Sequence, residues 1–426
     1  SGQVPAPQLT AAGAININAA YLSATSSFDS VNTTLDLFGS YTATTLTVRS
    51  GGGNDDVEFS PQLLAANTII DTGAGNDLIH VYNMPSLTSY ANYVASSGQF
   101  INTVSIDGGD GADAYVIDAT EGSDYVINVN DTGALDSGLN TLTINGATTT
   151  SGQEFLIRDL FVAILKSDGN PVYQRVNYNN SITGGLRING GNVDVGPNNA
   201  NPNAYGDSYY LDGNSAVTTI NAGNGNDFFQ VGQVYGVSAI GLATGDVGAG
   251  IGDSLTTTLT TVGYLSDGVD KSTVIYGGSG TDTFEVYSNK ADLALIGGSG
   301  DDTFIVRAFL VAAGTHIGVT GGSGNDTIEY NVDAPVDIEG GTGFNTLVLL
   351  GTEANDTFVI TSTGIFGGGL DIAYSNIQAI TIDGLEGNDT FYVLSTPYDV
   401  VTTINGGDGG DTVNVGGDVT GAVISA

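Results

Sequence analysis

Gly277-Gly278-Ser279-Gly280-Thr281-Asp282-Thr283-Phe284-Glu285-Val286-Tyr287 returns twenty residues later as Gly297-Gly298-Ser299-Gly300-Asp301-Asp302-Thr303-Phe304-Ile305-Val306. It returns again as Gly321-Gly322-Ser323-Gly324-Asn325-Asp326-Thr327-Ile328. The shared pattern is Gly-Gly-x-Gly-x-Asp-x-apolar. Gly406 to Val413 is a fourth full copy, and good copies centre on Asp55, Asp77, Asp113 and Asp227. The copy at Asp389 has Leu385 in place of its second glycine, and Asn345 replaces the carboxylate in another. Copies at Asp207 and Asp356 are degenerate, with Tyr205 and Ala354 in place of a glycine.

The intervals set the architecture. Asp55 to Asp77 is 22 residues, Asp282 to Asp302 is 20, Asp302 to Asp326 is 24, Asp326 to Asn345 is 19, and Asp389 to Asp411 is 22. Each loop is followed by a short alternating segment such as Thr303-Phe304-Ile305-Val306 and preceded by another such as Thr402-Thr403-Ile404-Asn405. Alternation with period two marks a half-buried strand. One unit of strand, turn, strand and glycine loop cannot bury its apolar face alone, but stacked copies can. The spacing therefore predicts an all-β fold, an elongated parallel β-solenoid of the β-roll or β-helix kind. Phe284, Val286, Phe304, Val306, Ile328, Tyr330, Phe391 and Val393 should face inward, with the glycine loops along one edge and ordinary turns on the other.

We read residues 1–426 as a single elongated solenoid, with 119–206 as an inserted or irregular β segment. Phe161 to Lys166 and Val172 to Tyr178, joined through Asp168-Gly169, read as a β-hairpin. Asn189 to Asn203 reads as an inserted loop, and Pro85 to Phe100 as a place for one short helix. Arg158, Lys166, Arg175 and Arg187, four of the eight basic residues, fall in the insert and could furnish a binding face for a glycan or protein.

Lys plus Arg number 8 against 46 Asp plus Glu, a formal charge of −38. Nucleic acid is excluded as a partner, since phosphate neutralisation needs a basic surface, and docking on anionic lipid is disfavoured. No apolar run is long enough to span a bilayer, so no membrane insertion is expected. Cysteine is absent, which removes disulfides and thiol chemistry. So acidic a chain repels itself unless cations are bound.

The repeat suits one cation in particular. Calcium takes six to eight oxygen ligands at about 2.3–2.6 Å. Glycine loops turn backbone carbonyls inward, and each Asp adds a charged oxygen. The pattern resembles the nonapeptide of the RTX, or hemolysin-type, calcium-binding family. That resemblance implies a β-roll holding several structural Ca2+ ions and folding outside the cell, hence a secreted or cell-surface location. Carried over by position, the ligands are the carboxylates of Asp55, Asp77, Asp113, Asp227, Asp282, Asp302, Asp326, Asp389 and Asp411. Carbonyls at the start of each motif, such as those of Gly277, Gly297, Gly321 and Gly406, complete the set. The whole chain also resembles segments of very long bacterial surface proteins.

No His-Glu-x-x-His metal motif and no Gly-x-Ser-x-Gly nucleophile elbow occurs. His80 and His316 are the only histidines, and His80 reads as a solvent-facing or packed strand residue. The leading expectation is a non-enzymatic, calcium-stabilised structural protein of a surface, matrix or filament, with head-to-tail self-association as one possible assembly. An adhesin acting through 119–206 and a polysaccharide-acting β-helix are the alternatives.

Overall fold

The computed structural model describes residues 8–11, 13–19, 32–86, 103–120, 122–133, 139–146, 152–165, 173–190, 206–236, 255, 257–311, 314–331, 335–368 and 370–416. Among these the chain is all-β, with no helix. Most of the Pro85–Phe100 stretch expected to hold a helix, the Asp168-Gly169 turn and most of the Asn189–Asn203 loop lie outside the described residues. No helix among the described residues is long and apolar enough to cross a membrane. The contacts divide the chain into two compact units, one mainly residues 1–192 and the other mainly 257–426 with 193–213 and 221–238.

The first unit carries two parallel ladders. In one, the strands Asp56–Asp71, Leu78–Val81, Ala114–Asp118, Thr141–Asn145 and Gly185–Asn189 stack in register. In the other, the end of Asp56–Asp71 is followed by Val104–Asp107, Tyr125–Val129 and Tyr173–Tyr178. Alternation decides which residues point inward: Val57, Phe59, Ile79, Val81, Tyr115 and Ile117 are essentially inaccessible. The ladders run through the expected insert. The predicted hairpin is present, Phe161–Leu165 pairing antiparallel with Tyr173–Tyr178, and Glu154–Arg158 adds a third antiparallel strand. Arg158 and Arg175 are buried within this meander, Arg175 with its guanidinium 3.8 Å over the Phe161 ring. These two therefore present no basic surface.

In the second unit, Ser208–Leu211, Phe228–Val231, Thr283–Asn289, Thr303–Val311, Thr327–Tyr330 and Thr346–Leu350 form one parallel ladder. Thr273–Ser279, Leu293–Ser299, Ile317–Ser323, Pro335–Thr342 and Leu370–Ser375 form another. Equivalent positions stack on one another, so the core is a set of columns. The rings of Tyr209, Phe229, Phe284 and Phe304 pile up at 5.0, 4.6 and 4.6 Å with nearly parallel planes. Ile328 and Leu347 continue the column. Of the residues expected inside, all but Val393 are buried; Val393 is half-buried. Val234–Tyr235, Gly263–Ser266 and Thr257–Thr260 form a small separate antiparallel sheet, joined to the ladder strand Thr283–Asn289 by the bond that Ser288 Oγ donates to Ser266 O.

The single-edge expectation needs correction. Thr346–Leu350 leaves the loop of Asn345 as a post-loop strand, yet its next partners are Ala379–Asp383 and Val401–Asn405, which precede glycine loops. Thr357–Ile360, Thr390–Val393 and Thr412–Val415 then form a new post-loop ladder. The glycine loops thus cross to the opposite end of Thr346–Leu350. Asn345 and Asp356 are 11 residues apart, half a coil, and that interval moves the motif to the other edge.

Candidate metal edges

The loop backbone dictates its own glycines. Gly278, Gly280, Gly298 and Gly300 have φ of 111°, 131°, 116° and 126°, a region that disfavours side chains. The coils also approach too closely for one. A side-chain carbon on Gly280 would stand 1.7 Å from the carbonyl oxygen of Gly225, and one on Gly300 1.8 Å from that of Gly280. Main-chain bonds lock the stack, with Gly280 N–H donating to Ser299 O (2.9 Å) and Gly300 N–H to Ser323 O (2.8 Å).

Onto this frame the motif carboxylates fold inward. Asp282, Asp302 and Asp326 are at most 1 % exposed. Each accepts, through Oδ1, the backbone N–H of the motif residue one coil earlier. Asp227 N–H reaches Asp282 (2.8 Å), Asp282 N–H reaches Asp302 (2.9 Å), and Asp302 N–H reaches Asp326 (2.9 Å). Asp207 N–H donates to Asp227, so this degenerate copy belongs to the ladder. The first unit repeats the scheme from Asp55 to Asp77 to Asp113, whose own N–H donates to Asn140. On the second edge, Asp356 N–H donates to Asp389 and Asp389 N–H to Asp411. The nine expected carboxylates thus fall into three ladders.

The other carboxylate oxygen is where the chemistry lies. Oδ2 of Asp55, Asp77, Asp113, Asp227, Asp282, Asp302, Asp326 and Asp389 is buried and has no hydrogen-bond partner. Ser50, Thr72 and Ala222 hold the first motif position for Asp55, Asp77 and Asp227. In the copies that begin with glycine, those of Asp113, Asp282, Asp302, Asp326 and Asp389, Oδ2 lies over that first glycine. A side-chain carbon on Gly277, Gly297 or Gly321 would stand 2.2–2.3 Å from it, and one on Gly406 2.2 Å from Asp411 Oδ2. The same three points lie 2.8, 2.7 and 2.5 Å from the carbonyl oxygens of Gly297, Gly321 and Gly340 in the following coils. A carboxylate oxygen and a carbonyl oxygen therefore face one cradle, and neither can donate. Burial pushes Asp227 up to about 8, Asp302 and Asp113 to about 7 and Asp282 to about 6, with neighbouring ladder carboxylates adding to the rise at Asp227, Asp302 and Asp113. Burial also raises Asp77 and Asp326.

Asn345 serves as a built-in control. It occupies the same ladder position and accepts Asp326 N–H through Oδ1 at 2.9 Å. In place of an unpartnered oxygen it has Nδ2, which donates to Asn376 O at 3.1 Å. A donor satisfies the cradle, and a carboxylate needs a proton or a cation there. The available donors are all oxygen, which suits a hard cation such as calcium. Among the described residues no three acidic or histidine side chains gather around one point. An ion here would take main-chain oxygens besides its carboxylate, and the glycine loops present them.

A second ladder escaped the sequence reading. Where Asn or Asp precedes the motif Asp, it accepts through Oδ1 from the coil that follows: Asn76 N–H to Asn54, Thr281 N–H to Asn226, Asn325 N–H to Asp301, and Gly410 N–H to Asn388, all at 2.7–2.9 Å. It runs opposite to the Asp ladder and lies on the exposed side. Its signal was the recurring Asn-Asp pair at 54–55, 76–77, 226–227, 325–326, 355–356 and 388–389. His80 packs on Tyr82 and lies 2.9 Å from Asp118, as a strand residue would. No family model matches this chain, and no curated protein matches it either.

Proposed function

We propose that this chain is a calcium-stabilised structural protein of the cell surface, extracellular matrix or a filament, whose ions order the glycine-loop edges. The observation that carries the reading is the repeated buried Oδ2 facing a carbonyl oxygen, relieved at Asn345 by a side-chain donor. Calcium bound there would supply the positive charge that both oxygens lack. It binds the stacked coils and not the unfolded chain, so every occupied site adds to stability by mass action. Calcium is scarce inside cells and abundant outside, so folding becomes conditional on export. On this reading the protein works outside the cell. The reading assigns it no reaction.

The test is far-UV circular dichroism with light scattering while calcium is titrated into chelator-treated protein. A calcium-dependent gain in β signal and in melting temperature supports the reading, and scattering that grows in parallel adds head-to-tail assembly. Full stability in chelator with no bound calcium would leave the loops as plain turns. The adhesin reading through 119–206 loses two of its four basic contacts to the interior, Arg158 and Arg175.

A further inference from the structure

One coil junction departs from the ladder. Beyond Asp113 the next coil brings no glycine pair but Asn130-Asp131-Thr132-Gly133. The loops still stack, since a side-chain carbon on Gly133 would stand 1.7 Å from Gly109 O. Asp131 sends its carboxylate inward and is only 5 % exposed. Its Oδ2 accepts the Tyr115 hydroxyl at 2.7 Å, and that hydroxyl accepts Gly108 N–H at 2.7 Å. The Tyr115 hydroxyl and Asp113 Oδ2 lie 2.6 and 2.4 Å from the point where a side chain on Gly108 would begin. Asp113 Oδ2 and Asp131 Oδ1 are both buried without a hydrogen-bond partner. Asp107 fixes the arrangement from outside, accepting Thr132 N–H at 3.0 Å and its hydroxyl at 2.6 Å.

We propose that Asp113 and Asp131 form a discrete two-carboxylate site for a divalent cation of the calcium class, with the Tyr115 hydroxyl at its wall. The inference rests on the calcium reading of the edges for the identity of the ion, but its donor set is different. At Gly277, Gly297, Gly321 and Gly384 a single carboxylate faces a main-chain carbonyl. Here two carboxylates from successive coils neutralise a dication between them, and affinity in oxygen sites rises with ligand charge. This junction therefore fills first, and it pins the coil whose loop lacks the glycine motif.

The experiment is terbium and calcium titration of the full chain, with excitation of tyrosine, the chain's sole large fluorophore type since tryptophan is absent. Wild type is expected to show a tightest phase with sensitised emission. Asp131→Asn should lose that phase, its ion binding about tenfold or more weaker, while the remaining ions bind as before. Superimposable isotherms for wild type and a folded Asp131→Asn protein would overturn the inference and leave the edge reading intact. Loss of a lone ion, with none bound elsewhere, would sustain the inference and sink the edge reading; no binding in either protein sinks both. If Asp131→Asn does not fold, Tyr115→Phe decides. It should quench the first-phase emission with the calcium count unchanged, and undiminished emission overturns the proposal.

Discussion

Asp302 shows what one ladder residue does, and Asn345 shows what happens when its charge is removed. Asp302→Asn keeps the bond that Oδ1 accepts from Asp282 and offers Nδ2 to Gly321 O, as Asn345 does to Asn376 O. In chelator this variant should be more stable than wild type, by about 1–3 kcal/mol, the cost of a buried polar atom left unpaired. In calcium it should bind one ion fewer; calorimetry in both buffers reads the two effects. Asp302→Ala leaves Asp282 N–H without its acceptor and should be less stable in both. The pH dependence follows from the same group. Folded values raised to about 6–8 lie above the ordinary carboxylate value, so the folded state holds protons that the unfolded chain has released. The stabilisation is whole below about pH 4 and is lost as pH rises through the folded values. In chelator, urea midpoints should therefore fall from about pH 4 to pH 8, and saturating calcium should abolish the fall. A flat chelator profile would show that these carboxylates are not desolvated as described.

At the level of the coil, the glycine loop tolerates little. Gly300→Ala puts a methyl 1.8 Å from a carbonyl oxygen at φ 126° and should cost several kcal/mol, measurable by denaturant unfolding. Leu385 is the converse: a leucine at φ 69° in the second-glycine position. Leu385→Gly should stabilise the second edge by about 1 kcal/mol, the strain of a left-handed residue. Much of this was legible beforehand. Period-two alternation placed Phe284, Phe304 and Phe391 in the core, and the 161–178 hairpin was visible from two apolar runs around a turn. The crossing of edges was not inferred, because Asn345 and Asp356 looked like worn copies and their 11-residue interval was the informative feature. Asp131 gave no signal at all: it belongs to no motif, and only stacking sets it beside Asp113. Arg158 and Arg175 misled because charge usually means surface, whereas here aromatic rings cover them.

For the whole molecule, the balance of charge decides which ion can serve. At −38 the chain attracts any cation, but screening by monovalent salt acts on exposed charges and hardly on buried ones. Magnesium demands short, near-octahedral bonds and keeps its waters. Stability lost in chelator should therefore return with millimolar calcium and not with equal magnesium or high sodium chloride, as thermal melts will show. The ladders also imply something about length. The glycine loops from Asp227 to Asp326 meet their neighbours through the same bonds, so the loop with its flanking strands is a repeated part. Excising Thr283 to Asp302 would join Asp282 to Thr303 and hand each severed glycine-loop bond to an equivalent residue, whereas a cut across Thr346 to Asp356 would splice unlike edges. Within the uniform stretch, a gene could gain or lose a coil by a single slip of replication and still encode a protein that folds.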